Sequence, residues 1–368
     1  MPTLTNMPEN SNLSATEHDA PAVYVLHENP EWLPPLLAGF EAEGVPVREL
    51  SLTEGSFDIA AEPPKGVFWS RLSASSHTRD NAHAKDFARA ILRWLEAHGR
   101  RVVNGSQVLE LEVSKVAQYA ALRASGIDTP RTIAVLGTDD LAARARELPV
   151  PFITKHNQGG KGLGVRRFDD YAAFDEYIAS AEFEQPVDGI TLLQEYVVTA
   201  EPFITRAEFV DGEFLYAVRV DTSAGSFELC PAEACVVDLT DDGADATLTS
   251  LPNGLLAAGN LDLNFAPSDF VVAGAACEAP ADSGLFVVRP EITENDPLIR
   301  ALRDFLAEHR IEVAGIEFFE TADGRRIVYD INTNTNYNPD VEARAELPGA
   351  RAVARALGRE LAAIGQPA

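Results

Sequence analysis

Sulfur is scarce in this chain: its 368 residues include three cysteines, Cys230, Cys235 and Cys277, and two methionines. An odd, sparse cysteine set makes no disulfide framework and points to a reducing cytoplasm. The Cys230–Cys235 spacing permits a redox pair, but ordinary buried thiols fit it better. Long apolar runs are missing as well, so no stretch spans a bilayer. Residues Met1 to Ala20 have neither a basic start nor an apolar centre, which excludes a secretory signal and suggests a disordered tail. Base is in short supply, with 30 basic against 57 acidic residues and a formal charge of −27. That balance argues against a general nucleic-acid binder and against an anionic-membrane binder. It leaves any anion site to locally placed cations. There is no internal repeat, and no low-complexity tract beyond the tail.

What is present is an ordinary globular composition, 46% hydrophobic and 24% charged, long enough for two or three domains. Strands are expected at Ala22–Leu26, Val45–Leu50, Gly66–Ser70 and Val102–Asn104. Helices alternate with them over Trp32–Glu43 and around Phe87, Ile91, Trp94, Leu95 and His98, stopped by Gly44 and Gly99. That alternation means a parallel α/β sheet, in which ligands sit beyond the strand C-termini. The loop Arg71 to Arg79 is such a place. Arg71, His77 and Arg79 there suit a carboxylate substrate, or form a solvated loop with a structural arginine.

The stretch Ala314 to Asn338 reads as a β-hairpin carrying a cation site. Asp323-Gly324 is a two-residue turn signal of type I′. That turn sets Glu317 directly opposite Asp330, with Cβ atoms about 4.5–5.5 Å apart on one sheet face. Asn332 projects from the same face. Two facing carboxylates repel unless a hard divalent cation sits between them, with the Asn332 oxygen as a third ligand. An exposed face with carboxylates in water is the alternative, and a one-residue slip would separate the pair.

Further signals lie between. Ser114 reads as the N-cap of a helix Lys115 to Ala124, with Lys115 in a first turn that disfavours a cation; the misfit hints at a bound anion. Phe152 to Val165 is a strand carrying Lys155, then a loop with Gly159, Gly160, Gly162 and Gly164. Glycine amides make an anion nest, and Lys155 and Lys161 add charge. A second strand follows at Val165 to Phe168, so the loop joins two antiparallel strands and serves as a phosphate flap or a flexible hairpin tip. Leu192 to Val197 reads as a strand whose end is placed to meet an adenine edge, with Glu201 near a ribose, or else as plain core. Strands Phe203–Phe209 and Gly212–Val220 carry Arg206 and Arg219, either transition-state clamps or exposed sheet arginines. The segment 227–290 is read as loops and short strands. Asp296-Pro297 opens a helix with Leu298, Leu302, Phe305 and Leu306 as its buried stripe. A last helix runs from Ala350 to Ile364.

In order and spacing, Lys115, ITKHNQGGKGLGV at 153–165, LLQEYV at 192–197, the Arg206 and Arg219 strands and IEF…YDINTNTNYN resemble the ATP-grasp superfamily. The resemblance covers nearly all of residues 67 to 364 and is nearest its ribosomal-protein glutamate ligase (RimK-like) branch. It implies an α/β ATP-grasp fold with an N-terminal parallel α/β domain. The expected boundaries are a tail at 1–20, that domain at 21–110, a central lobe at 111–191 and a C-terminal lobe at 192–368. ATP would lie between the lobes, its phosphates on Lys115 and Lys155 under a flap of Gln158, Gly159, Gly160, Lys161, Gly162 and Gly164. Gln194, Glu195, Tyr196 and Val197 would meet the adenine and Glu201 the ribose. Glu317, Asp330 and Asn332 would hold Mg2+, with Mn2+ as an alternative. Arg219 would stand beside the transferred phosphoryl group, with Arg206 as a second clamp.

Such enzymes phosphorylate a carboxylate and pass the acyl group to an amine, giving an amide, ADP and phosphate. Their substrates are small molecules, peptides or proteins, and they are commonly dimers or tetramers. Two departures stand out. FELCPAEAC at 227–235 and an acidic insert replace a basic segment of the family, so amine recognition need not carry over. NTNTNYN replaces a small-residue/proline/glycine turn, so Asn334 and Asn336 extend the ligand site or form the turn. A kinase releasing a stable phosphorylated product and a nucleotide-binding regulatory protein without chemistry are the competing readings.

Overall fold

The computed structural model describes residues 20–223, except 161 and 163, and 286–364. The tail, Lys161, the three cysteines and nearly all of the 227–290 segment lie outside the described residues. Among the described residues no helix is long and apolar enough to cross a membrane.

The first unit contains β1 (Ala22–His27), α1 (Pro34–Ala42), β2 (Val47–Ser51), β3 (Gly66–Arg71), α2 (Ala84–Ala97), β4 (Arg101–Val103) and α3 (Ser106–Glu112). Its sheet is parallel, in the order β2-β1-β3-β4. β1 and β3 are buried along their whole length, as central parallel strands covered on both faces must be. The loop expected from Arg71 tightens into a short 3-10 turn at Ser76–Arg79, and Arg71 itself ends β3.

The middle unit comprises α4 (Lys115–Ala124), β5 (Thr132–Leu136), α5 (Leu141–Ala145), β6 (Phe152–His156), β7 (Arg166–Phe168), α6 (Tyr171–Ala179) and β8 (Ile190–Glu195). Its antiparallel sheet runs β5-β8-β6-β7. β8 therefore lies inside the central lobe. The boundary expected at 191/192 falls within this strand, and Tyr196 and Val197 follow the strand instead of ending it.

The last unit comprises β9 (Phe203–Val210), β10 (Glu213–Asp221), β11 (Phe286–Val288), α7 (Pro297–His309), β12 (Val313–Glu320), β13 (Arg326–Asn332), α8 (Pro339–Glu342) and α9 (Gly349–Ile364). Its sheet is antiparallel in the order β11-β10-β9-β12-β13. Asp296 caps α7 through its side chain and Pro297 sits at the first position. On α7 Ile299, not Leu298, is fully buried with Leu302, Phe305 and Leu306; Leu298 is half-buried at the edge of the stripe.

Two cores hold the units together. Tyr119 and Leu122 of α4 and Leu192 of β8 share one core with α7 and the inner strands of the last sheet. Val23, Val25, Val67 and Trp69 of the first sheet share another with Val353 and Leu357 of α9 and with Val210 and Val313. The first sheet and α9 are thus packed into one another.

Candidate active site

The β12–β13 hairpin pairs Gly315 with Asn332, Ile316 with Ile331 and Glu317 with Asp330. The opposition of the two carboxylates is as expected, but the turn is not. Only Gly324 has positive φ, and the turn is closed from Thr321 to Arg325. The two-residue type I′ turn is thereby corrected to a wider one. Its pairing, Glu320 with Arg326, is one residue out from the expected register. A β-bulge between Glu317 and Phe318, facing Tyr329, restores the register before the carboxylates.

Three cations converge on this face. Lys115, buried in the first turn of α4, donates to Asp330. The helix end that carries it is fixed twice: Ser114 Oγ accepts from Ala117 N at 3.2 Å and Asn157 Oδ1 from Val116 N at 2.9 Å. Lys155 of β6 is buried and donates to Tyr119 Oη at 3.1 Å and to the Tyr329 carbonyl at 3.4 Å. Burial pushes its ammonium below the ordinary lysine range, opposed by Asp330 and Glu317 nearby. Burial alone would raise the Asp330 carboxyl, yet Lys115 and Lys155 hold it below the usual carboxylate range.

Arg206 of β9 lies opposite Glu317 in the sheet. It donates to Glu317 Oε1 at 2.8 Å, to Glu208 Oε1 at 2.6 Å and to Thr335 Oγ1. Burial works against this guanidinium's charge, but Glu208 and Glu317 outweigh it and raise its pKa. Gly315 makes room for it, since a Cβ there would stand 2.5 Å from Arg206 Nη2. Glu317 Oε2 also accepts from Tyr329 Oη at 2.7 Å, and Asn332 Nδ2 lies 3.4 Å from Glu317 Oε1.

Arg219 does not join this group. Its register partner is Thr205, whereas that of Arg206 is Val218. Neighbouring residues on a strand point to opposite faces, so the two arginines leave the sheet on opposite sides. Arg219 stacks on Phe203 at 4.5 Å and lies 4.0 Å from Glu201, which is exposed. The two arginines expected as clamps of one phosphoryl group therefore do not share a face of the sheet.

The flap runs from Gln158, whose Oε1 accepts from Lys85 Nζ of α2 at 2.7 Å. Gly160 comes close to Ser75 of the loop that follows β3. Gly162 and Gly164 both have positive φ, and a Cβ on Gly164 would stand 2.2 Å from the His156 ring. Gln194 is turned inward: its Nε2 donates to Tyr119 Oη and Thr132 Oγ1 at 3.1 and 2.9 Å. Glu195 accepts from Arg131 N at 2.8 Å, and Tyr196 lies under Arg167 at 4.6 Å.

At the end of the first sheet, Arg71 is fully buried and donates to the Thr335 carbonyl and to Asn336 Oδ1, both at 2.8 Å. Burial brings its pKa down to about 10. Its Nε and the Asn334 Oδ1 are buried without a hydrogen-bond partner among the described residues. Arg79 is committed to Glu28 at 2.5 Å and stacks on Trp32. His77 is half-buried, which pushes its imidazole below the ordinary range.

Sequence reasoning passed over Tyr119, Glu208, Tyr329, Thr335, Asn157 and Glu112. A signal existed for Glu208, two residues from Arg206 on one strand and so on one face. Tyr119 gave none: its hydroxyl joins Lys155, Gln194 and the Tyr329 carbonyl across long sequence separations.

The hard-oxygen donors Glu317, Asp330 and Asn332 fit a magnesium-type ion, and the ammonium and guanidinium already on the two carboxylates mark where positive charge is favoured.

No family model matches the chain. It resembles the crystal structure of the D-cycloserine synthetase DcsG, with a TM-score of 0.57 and 16% identity, over 92% of this chain and 100% of that one. It is also similar to a RimK domain ATP-grasp protein from Sphaerobacter thermophilus, with a TM-score of 0.56 and 15% identity, over 91% and 98%. These likenesses establish the ATP-grasp fold expected from the sequence. A D-alanine–D-alanine ligase from Hydrogenovibrio crunogenus is 24% identical over 201 residues, or 51% of this chain. The chain matches 61% of the length of that curated relative.

Proposed function

We propose that this chain is an ATP-dependent carboxylate–amine ligase that forms an amide or peptide bond through an acyl phosphate. The observation that carries the reading is the meeting of Lys115, Lys155 and Arg206 with Glu317, Asp330 and Asn332 at the junction of the middle and last sheets. A carboxylate attacking a γ-phosphate brings two anions together, and preorganised cations are what such a reaction needs. In this reading Lys115 and Lys155 hold the ATP phosphates under the Gln158–Gly164 flap, and Arg206 steadies the transferred phosphoryl group. Glu317, Asp330 and Asn332 would hold Mg2+, which supplies charge neutralisation at the phosphates when bound. A carboxylate oxygen of the acid bonds to the γ-phosphorus as the bond to ADP breaks. The amine nitrogen then bonds to the acyl carbon, phosphate leaves and the nitrogen gives up a proton.

Arg71, at the end of β3, is the side chain best placed to receive a substrate carboxylate, because among the described residues it has no carboxylate partner of its own; Arg79 is already neutralised by Glu28. The substrates on this reading are small acids and amines or peptides, and the scarcity of cysteine suits a cytoplasmic enzyme. Trapping tests the intermediate. With Mg-ATP, the correct acid and hydroxylamine, ADP should form together with an acyl hydroxamate; ADP formed with that acid and no hydroxamate would count against the acyl phosphate.

A further inference from the structure

Among the described residues, six charged side chains meet at the junction of the sheets, three cations and three carboxylates. Lys115 is paired with Asp330, and Arg206 with Glu317 at 2.8 Å and Glu208 at 2.6 Å. Lys155 donates instead to the Tyr119 hydroxyl and the Tyr329 carbonyl. The groups read as phosphate ligands are therefore neutralising the groups read as metal ligands. Close charges in a buried setting interact strongly, so a divalent cation approaching Asp330 competes with an ammonium already on it.

We propose that Lys115 is a built-in counter-cation for Asp330, which keeps divalent-cation affinity low until nucleotide phosphates draw the ammonium away. The inference rests on reading Lys115 as a phosphate ligand of an ATP-dependent enzyme. Three features carry it further. The Lys115 backbone is fixed by the Ser114 and Asn157 caps, so the exchange needs only its flexible side chain to move. The donor set among the described residues is small: two carboxylates and an amide, against the six oxygens an octahedral Mg2+ takes. Glu317, moreover, is shared with Arg206 and Tyr329. Finally, the exchange keeps the buried charge balanced, because the ammonium passes from carboxylate to phosphate as the divalent cation replaces it, and no carboxylate is left bare.

The test is a titration of Mn2+ onto the full chain, followed by the electron paramagnetic resonance of free Mn2+, with and without a non-hydrolysable ATP analogue. Lys115→Met should bind Mn2+ about tenfold or more tightly than the natural chain in the absence of nucleotide, the scale of one close charge removed. Lys115→Arg, which keeps the charge, should retain the low affinity. Lys115→Gln replaces the methionine variant if thermal unfolding shows the latter misfolded. Unchanged Mn2+ affinity in the uncharged variants would overturn the proposal, as would equal affinity of the natural chain with and without the analogue. Analogue affinity is measured in parallel. If it is unchanged in Lys115→Met, the phosphate reading of Lys115 falls; if it weakens while Mn2+ affinity stays put, only the counter-cation inference falls.

Discussion

A buried guanidinium with two carboxylates around it is costly to fold and contributes little net stability, and the proposed reaction gives Arg206 a role at the transferred phosphoryl group. It is held on three sides by Glu208, Glu317 and Thr335. Lysine cannot reproduce that fork. Arg206→Lys should therefore lower kcat by about 10²–10³, the scale of losing one preorganised donor, while thermal unfolding stays cooperative; near-natural kcat would remove Arg206 from the reaction. Asp330→Asn should abolish Mg2+-dependent ADP formation, and unchanged turnover would remove the metal reading. His27 carries a pH dependence of its own. Burial, helped by Arg71, lowers its pKa from 6.5 to about 4. The unfolded chain takes up this proton as pH falls below 6.5, and the folded chain resists until about 4. Stability should therefore be lost on acidification across that window, by on the order of 2–3 kcal/mol from this group. His27→Asn should flatten the slope of unfolding free energy between pH 6.5 and 4; an unchanged slope would contradict the assignment.

At the scale of elements, the β12–β13 hairpin holds the carboxylates in register, and β9 brings Arg206 across Gly315. A methyl group on Gly315 would stand 2.5 Å from Arg206 Nη2. Gly315→Ala should thus displace the guanidinium, costing about 1–3 kcal/mol of stability and depressing kcat as Arg206→Lys does; natural kcat would show that the guanidinium finds another path. Most strands and helices were legible because alternation, caps and Gly or Pro stops are local signals. The Ser114 cap and the Lys115–Ala124 helix appear at the expected residues. The Glu317–Asp330 pairing was reached through the wrong turn, and held because a wider turn and a bulge offset each other. What depends on distant partners was not legible. Arg219 was placed with Arg206 because an unbroken β9–β10 hairpin puts both on one face, whereas a β-bulge between Phe214 and Tyr216 shifts the register by one and sends Arg219 to the other. Helix α3 (Ser106–Glu112) was missed because it is only two turns long, with most of its residues buried and little amphipathic signal to read.

Across the whole molecule, the first unit is locked to the last by a shared core and by one buried carboxylate. Glu112 accepts from Ala74 N in the loop after β3 at 3.2 Å, and from both Thr333 N and Thr333 Oγ1 at 2.8 Å. It thereby joins the loop carrying His77 and Arg79 to the end of β13. Burial raises its pKa against the Thr333 hydrogen bonds. Glu112→Gln sets an amide donor against a backbone N–H and should cost about 1–3 kcal/mol. If the tie positions the substrate loop, KM for the acid should rise more than KM for ATP; equal changes would mark Glu112 as a general scaffold residue. The reading of the whole is that the first unit presents an acid, the middle unit holds ATP and the last unit neutralises the charge that develops between them. The most direct measurement is ADP release with Mg-ATP against a panel of amino acids and dipeptides, singly and in pairs, with mass spectrometry of the mixtures. A ligase predicts ADP only when an acid and an amine are both present, with a product lighter than their sum by one water. ADP accompanied by a stable phosphorylated form of a single substrate would contradict it.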